Sequence, residues 1–168
     1  MKVLFLDVDG VLNSTDWESR CPSKEEMLIL WPKLRPLERD ALRYLDPDAV
    51  ARLEQIVEKT EALVAVSSSW RLDWPLPKLN ELLRIRGFKH MLFSATPATH
   101  EVWTQSIYSF PGRGAEISGW LSLINHEAQY VIVDDCQIHG HPPFNVYQTD
   151  PRKGLTDVDA AEIIKRLS

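Results

Sequence analysis

The chain has 168 residues, a length that suits one compact domain around a single core. Hydrophobic residues make up 44% and charged residues 26%, the balance of an ordinary soluble globular protein. The formal net charge of -5 argues against a general affinity for nucleic acid or an anionic membrane.

The first predicted element is a strand from Lys2 to Asp7, apolar from Val3 to Leu6 as in a parallel strand covered on both faces. It is too short for the core of a signal peptide, and no segment approaches the roughly 18–20 apolar residues of a membrane span. Cys21 and Cys136 are the only cysteines, so no disulfide framework is expected and a reducing cytoplasm is the simplest setting. Residues 14–45 contain Pro22, Pro32 and Pro36 and show no sustained period. They are expected to form an insertion or flap, with a short helix around Glu38–Tyr44.

A helix begins at Asp46-Pro47, where Asp46 can cap and Pro47 suits the first helical position. Val50, Leu53, Ile56 and Val57 then share one face. The strand Ala62–Val66 runs into Ser67-Ser68-Ser69-Trp70-Arg71. A helix over Lys78–Arg86 closes at Gly87, and Phe88–Ala95 is the next strand. Residues 96–114 form a polar loop, Ala115–Asn125 a helix, and Tyr130–Val133 a strand ending at Asp134-Asp135. A short fifth strand, Phe144–Tyr147, precedes a helix that starts at Thr156, with Asp159 completing a capping box. This alternation predicts one α/β domain over residues 1–168 with a mostly parallel five-stranded sheet.

Ligands of such sheets gather beyond the carboxyl ends of the strands, and three polar clusters fall there: Asp7-Val8-Asp9-Gly10, Ser67-Ser68-Ser69 and Asp134-Asp135. Carboxylates brought together repel one another, and a hard divalent cation such as Mg²⁺ resolves the conflict with oxygen ligands and a substrate phosphate. At the strand end, the Asp7 carboxylate and the Asp9 backbone carbonyl can face one metal. The Asp9 side chain is then left for proton transfer, and Gly10 permits the tight turn.

Phe5-Leu6-Asp7-Val8-Asp9-Gly10-Val11-Leu12-Asn13 resembles the nucleophile motif of the haloacid dehalogenase (HAD) superfamily. Ser67 or Ser68 after a strand resembles its second motif, Arg113 its basic third motif, and Val131-Ile132-Val133-Asp134-Asp135 its metal-binding fourth. Leu45-Asp46-Pro47, Ser68-Ser69-Trp70-Arg71, and Asp150 ahead of Gly154-Leu155-Thr156 are similar to a subgroup known partly from "Swiss Army Knife" RNA-repair proteins.

The resemblance implies a three-layer Rossmann-like core with only a small flap in place of a cap domain. It implies a phosphatase with Asp7 as nucleophile, Asp9 as general acid and base, and Mg²⁺ held by Asp7, Asp9, Asp134 and Asp135. Ser67 or Ser68, Arg113 and Gly10 would bind phosphate. Asn13, Trp70 and Arg71 stand near these motifs as candidate substrate contacts, although an ion pair with an acidic neighbour suits Arg71 equally and Trp70 is more often a packing residue. Asp9 sets the chain apart from the dehalogenases, which lack this second aspartate. The intervals 14–66 and 69–112 are too short for a separate cap, so the expected site is open. It suits a phosphorylated substrate such as a nucleotide or a nucleic-acid end.

Other readings stay open on sequence alone. The same Asp7 intermediate serves a phosphotransferase, and a domain without turnover could bind a phosphorylated ligand. Lys89 is an alternative to Arg113. Cys136, His139 and His141 could suggest zinc, although a four-ligand pattern is missing. Arg35, Arg39 and Arg43 recur every four residues, as in a basic stripe or a solvated helix face.

Overall fold

The structure, a computed structural model, describes residues 1–98, 112–124 and 127–168. Most of the expected 96–114 loop, and Asn125 at the end of an expected helix, lie outside the described residues. Five strands form one sheet: β1 (Lys2–Leu6), β2 (Leu63–Val66), β3 (Leu92–Ala95), β4 (Gln129–Asp134) and β5 (Val146–Gln148). Their order is β3-β2-β1-β4-β5, and every pairing is parallel. The sheet is thus wholly parallel, with β1 at its centre.

Alternate residues of the central strands face opposite cores, as a pleated strand requires. Leu4 and Leu6, Val64 and Val66, Val131 and Val133 point into the larger core. That core is filled from α4 (Pro47–Thr60), α6 (Leu76–Ile85) and α8 (Asp157–Leu167), and the one-turn α5 (Trp70–Asp73) lays Trp70 against it. Val3, Phe5, Ala65 and Ile132 point the other way, against Ile117, Trp120 and Leu121 of α7 (Arg113–Ile124). The Phe5 ring meets Trp120 edge-on at 5.2 Å.

Residues 15–44 are more regular than their sequence suggests. They form α1 (Thr15–Glu18), α2 (Lys24–Leu30) and α3 (Pro36–Tyr44). Local caps explain the helices that lack a long apolar period. Ser14 caps α1, Ser23 and Glu26 form a capping box on α2, and Pro36 opens α3. Met27 and Leu42 anchor this segment in the larger core. At the expected start of β3, Phe88 is instead buried in a loop. There the Lys89 and Leu92 amides bond to the side chains of Glu54 and Asn80, so regular pairing begins only at Leu92. Pro142 and Pro143 likewise impose a 3-10 turn over Pro143–Asn145, which delays β5 to Val146. The capping box of α8, Thr156 with Asp159, forms as expected.

Candidate active site

Register and pleat together assemble the site. Leu6 pairs with Val66 on one side and Val133 on the other, so Asp7, Ser67 and Asp134 are the next residues of three adjacent strands. The ladder continues past the strand ends. Asp7 N donates to the Val133 carbonyl at 3.0 Å and Ser67 N to the Leu6 carbonyl at 2.8 Å. All three residues have the parity of Phe5, Ala65 and Ile132, which face α7. Arg113 arrives there as the first residue of that helix.

Arg113 Nη1 bonds to Asp7 Oδ2 at 2.5 Å and also to Asp134 Oδ2. One cationic nitrogen thus bridges two carboxylates that are only 3% and 1% exposed. Asp7 Oδ1 accepts from Val8 N at 2.8 Å, and the Ser68 hydroxyl also hydrogen-bonds this carboxylate. The Ser67 hydroxyl is buried and makes no hydrogen bond among the described residues. Asp9 lies at the surface, and its Oδ1 accepts from Asn13 Nδ2 at 2.8 Å and from Trp70 Nε1 at 2.9 Å. Asn13 and Trp70, expected as substrate contacts, are therefore bonded to Asp9. Gly10 turns with φ +68°, and a Cβ there would lie 2.5 Å from that of Asp135, so the loop closes directly over the Asp134-Asp135 cluster.

Burial is the main electrostatic influence on this cluster. It pushes the Asp7 carboxyl up to about 6 and, with help from the Asp134 charge, outweighs the opposing pull of Arg113. Asp134 is also raised, again chiefly by burial, against the hydrogen bond from Arg113. Burial alone would lower the Arg113 pKa, but the charge of Asp7 and the contacts to Asp134 hold it above its ordinary value.

Several supports were not legible in the sequence. Thr149 Oγ1 donates to the Gly10 carbonyl at 2.8 Å. Leu155 N and Asp46 N donate to the Val11 and Leu12 carbonyls, each at 2.8 Å. The Leu45-Asp46-Pro47 and Gly154-Leu155 segments thus buttress the loop that carries Asp7 and Asp9. His141 Nε2 contacts the Gly114 carbonyl at 2.8 Å while its Nδ1 meets the Tyr130 hydroxyl at 2.9 Å. A Cβ at Gly114 would lie 2.0 Å from the His139 carbonyl oxygen, a backbone atom that cannot swing aside. Gly114→Ala is therefore expected to destabilise the protein by about 2 kcal/mol and to displace Arg113. Urea unfolding and a kcat/KM measurement check the two effects.

Arg71, a candidate substrate contact, is engaged elsewhere. It pairs with Glu116 at 2.5 Å and donates to the carbonyls of Thr96 at 3.0 Å and Ser68 at 2.5 Å. Its side chain is 9% exposed, so it ties the one-turn helix Trp70–Asp73 to α7 and is not presented to a ligand. A buried partner for Arg71 could have been sought among the acidic residues of the α7 segment, but nothing in the sequence singles out Glu116. Lys89 precedes β3, at the amino end of the sheet, and pairs with Glu54 at 3.9 Å. That geometry separates it from Asp7 and leaves Arg113 as the basic residue at the carboxylates. Both ring nitrogens of His141 face protein groups, and the Cys136 thiol is raised by its hydrogen bond to Asp135 and by burial, which does not favour a thiolate for zinc. Arg35 pairs with Glu38 at 2.7 Å, Arg39 bonds to the Leu34 carbonyl, and Arg43 lies against Tyr44 and Cys21. These arginines make local contacts that hold their side chains to the helix's own surroundings.

The donors suit a hard cation. Asp7 and Asp134 converge on one positively charged nitrogen, Asp135 lies beside Asp134, and all three offer oxygen. Among the described residues no hydrogen bond ends on the Asp9 carbonyl, whereas the neighbouring Val8 carbonyl accepts from the Val11, Leu12 and Asn13 amides. No helix among the described residues is long and apolar enough to cross a membrane.

A family model described as the HAD domain in Swiss Army Knife RNA repair proteins matches residues 3–160. No curated protein and no solved structure matches the chain. The match runs from β1 into α8 and so takes in the whole parallel sheet and all three carboxylate and serine clusters. Family and fold agree, and phosphatase-type chemistry is the activity they suggest: the chain belongs to the HAD domains of the Swiss Army Knife RNA-repair type.

Proposed function

We propose that the protein is a Mg²⁺-dependent phosphomonoester hydrolase that works through an aspartyl-phosphate on Asp7. The observation that carries this reading is the convergence of Asp7, Asp134 and Arg113 at the carboxyl ends of the central strands. Asp7, Asp134 and the Asp9 backbone carbonyl would hold the metal, with Asp135 assisting. Bound there, Mg²⁺ offsets negative charge on phosphoryl oxygens.

The chain's own groups account for the remaining chemistry. Asp7 attacks phosphorus, the bond to the leaving oxygen breaks, and Asp9 gives that oxygen a proton. Water then attacks phosphorus, passes a proton to Asp9, and frees the Asp7 carboxylate. Among the described residues Arg113 uses only Nη1 on the two carboxylates, which leaves its other donors for phosphoryl oxygens. Ser67 supplies a buried hydroxyl with no hydrogen bond among the described residues, while Ser68 steadies Asp7. Phosphoryl transfer needs mainly such positioning and charge stabilisation. The family's RNA-repair description favours a phosphate on a nucleotide or nucleic-acid end.

The test is a panel of 3′- and 5′-phosphorylated oligonucleotides, nucleotides, sugar phosphates and aryl phosphates with Mg²⁺. Enzyme quenched during turnover is then reduced with borohydride, which converts an aspartyl-phosphate to homoserine. Phosphate release with homoserine at position 7 is the expected result. Release without that mark would sink the covalent mechanism, and phosphate passed to an added acceptor instead of water would make the protein a phosphotransferase.

A further inference from the structure

The contacts to Asp9 are more specific than its role as an acid and base requires. Asp9 is exposed, so packing does not hold its side chain in place. Two donors from different parts of the chain reach the same oxygen, Oδ1: Asn13 Nδ2 at 2.8 Å and Trp70 Nε1 at 2.9 Å. The direction of the Asn13 amide is set independently, because its Oδ1 accepts from Gly10 N at 2.8 Å. An indole N–H is a donor only. Oδ1 therefore faces two hydrogens and cannot carry a third. The partly buried Trp70 packs against the larger core, where it lines a small cavity with Leu6, Val8, Leu79 and Leu83, and its backbone N lies 3.4 Å from Ser68 Oγ.

We propose that Trp70, with Asn13, is a positioning residue that clamps Asp9 through Oδ1 and so reserves Oδ2 for proton transfer. The proposal rests on the hydrolase reading above and adds a division of labour between the two oxygens. As the phosphorus–leaving-group bond breaks, its electron pair stays on the leaving oxygen and the proton on Asp9 Oδ2 moves there. As water attacks the aspartyl-phosphate, its proton returns to Oδ2 and the phosphorus–oxygen bond to Asp7 breaks. The Trp70 indole keeps its own proton throughout. Through Trp70 the one-turn helix that follows the second motif also sets the orientation of the acid in the first.

Trp70→Phe removes the N–H and keeps a packing ring; Asn13 also closes the Gly10 turn, so Trp70 is the cleaner probe. A series of substituted phenyl phosphates varies the leaving group at nearly constant shape. For Trp70→Phe, kcat/KM is expected to fall about tenfold with phenyl phosphate and by less than about threefold with the more acidic nitrophenols, because a good leaving group needs little proton assistance. In an Asp9→Asn background the same substitution should have almost no further effect. An equal loss across the series, or a full loss added to that of Asp9→Asn, would show that Trp70 touches substrate or only supports the fold, and would overturn the proposal. A direct measurement needs no turnover. The indole N–H signal that disappears in Trp70→Phe should shift in Asp9→Ala, and an unmoved signal overturns the contact. The reading it rests on fails separately: full activity of Asp7→Asn refutes the Asp7 mechanism, and no phosphate release from any ester refutes hydrolysis, while the indole signal still tests the contact.

Discussion

Asp7→Asn is expected to lower kcat by at least about 10⁴-fold at saturating Mg²⁺, with the fold retained. The amide keeps the shape of the carboxyl group and can still accept from Val8 N. It has no carboxylate to attack phosphorus, so the loss belongs to the chemical step and not to assembly of the site. A structural role for Asp7 would give the opposite pattern, with reduced stability and proportionate loss of soluble protein. Turnover within tenfold of wild type in a well-folded Asp7→Asn protein would refute nucleophilic attack by this residue. Circular dichroism alongside the assay separates the two cases.

The second large effect appears in stability without metal. Burial lifts the Asp7 carboxyl from 3.8 to about 6. Because the folded pKa lies above the unfolded one, this group's favourable contribution is complete below pH 3.8 and is lost as pH rises through about 6. Asp7→Asn does not titrate. The stability of Asp7→Asn relative to wild type should therefore increase between those limits and level off above them, at roughly 3 kcal/mol. Urea unfolding in a chelator across that pH range measures it. Saturating Mg²⁺ should stabilise wild type more at neutral pH than at acid pH, since protons and metal compete for the same oxygens. A pH-independent difference between the two proteins would mean that Asp7 is not buried as a charge in the metal-free fold. On the proposed mechanism the same physics would give the metal a second task, because a nucleophilic Asp7 must be ionised where burial favours its neutral form.

The catalytic candidates were legible because strand ends leave a strong local signature. An apolar run followed by Asp7-Val8-Asp9-Gly10, or by Asp134-Asp135, marks a buried strand meeting a polar rim. Caps were legible for a similar reason, as at Asp46-Pro47 and Thr156 with Asp159, where the interacting atoms are near in sequence. The short helices of residues 15–44 were mostly missed. Their stability comes from single caps and from Met27 and Leu42 reaching a distant core, and neither produces a sustained period. Sequence left Arg71 open between a ligand and an ion pair for a related reason. Its position beside the serines suits either, and the partner that meets its charge, Glu116, lies 45 residues away along the chain.

The sequence by itself determined an α/β parallel fold, the three clusters and the candidates Asp7, Asp9, Asp134, Ser67, Ser68 and Arg113, because each depends on residue type and local pattern. Only the tertiary structure decided how those candidates are connected. Strand register aligned Asp7, Ser67 and Asp134, pleat parity turned them toward α7, and the start of that helix put Arg113 between two carboxylates. It also joined Trp70 and Asn13 to one oxygen of Asp9. These are long-range coincidences of direction and distance. They follow from how helices pack on the sheet, which no local stretch of sequence encodes.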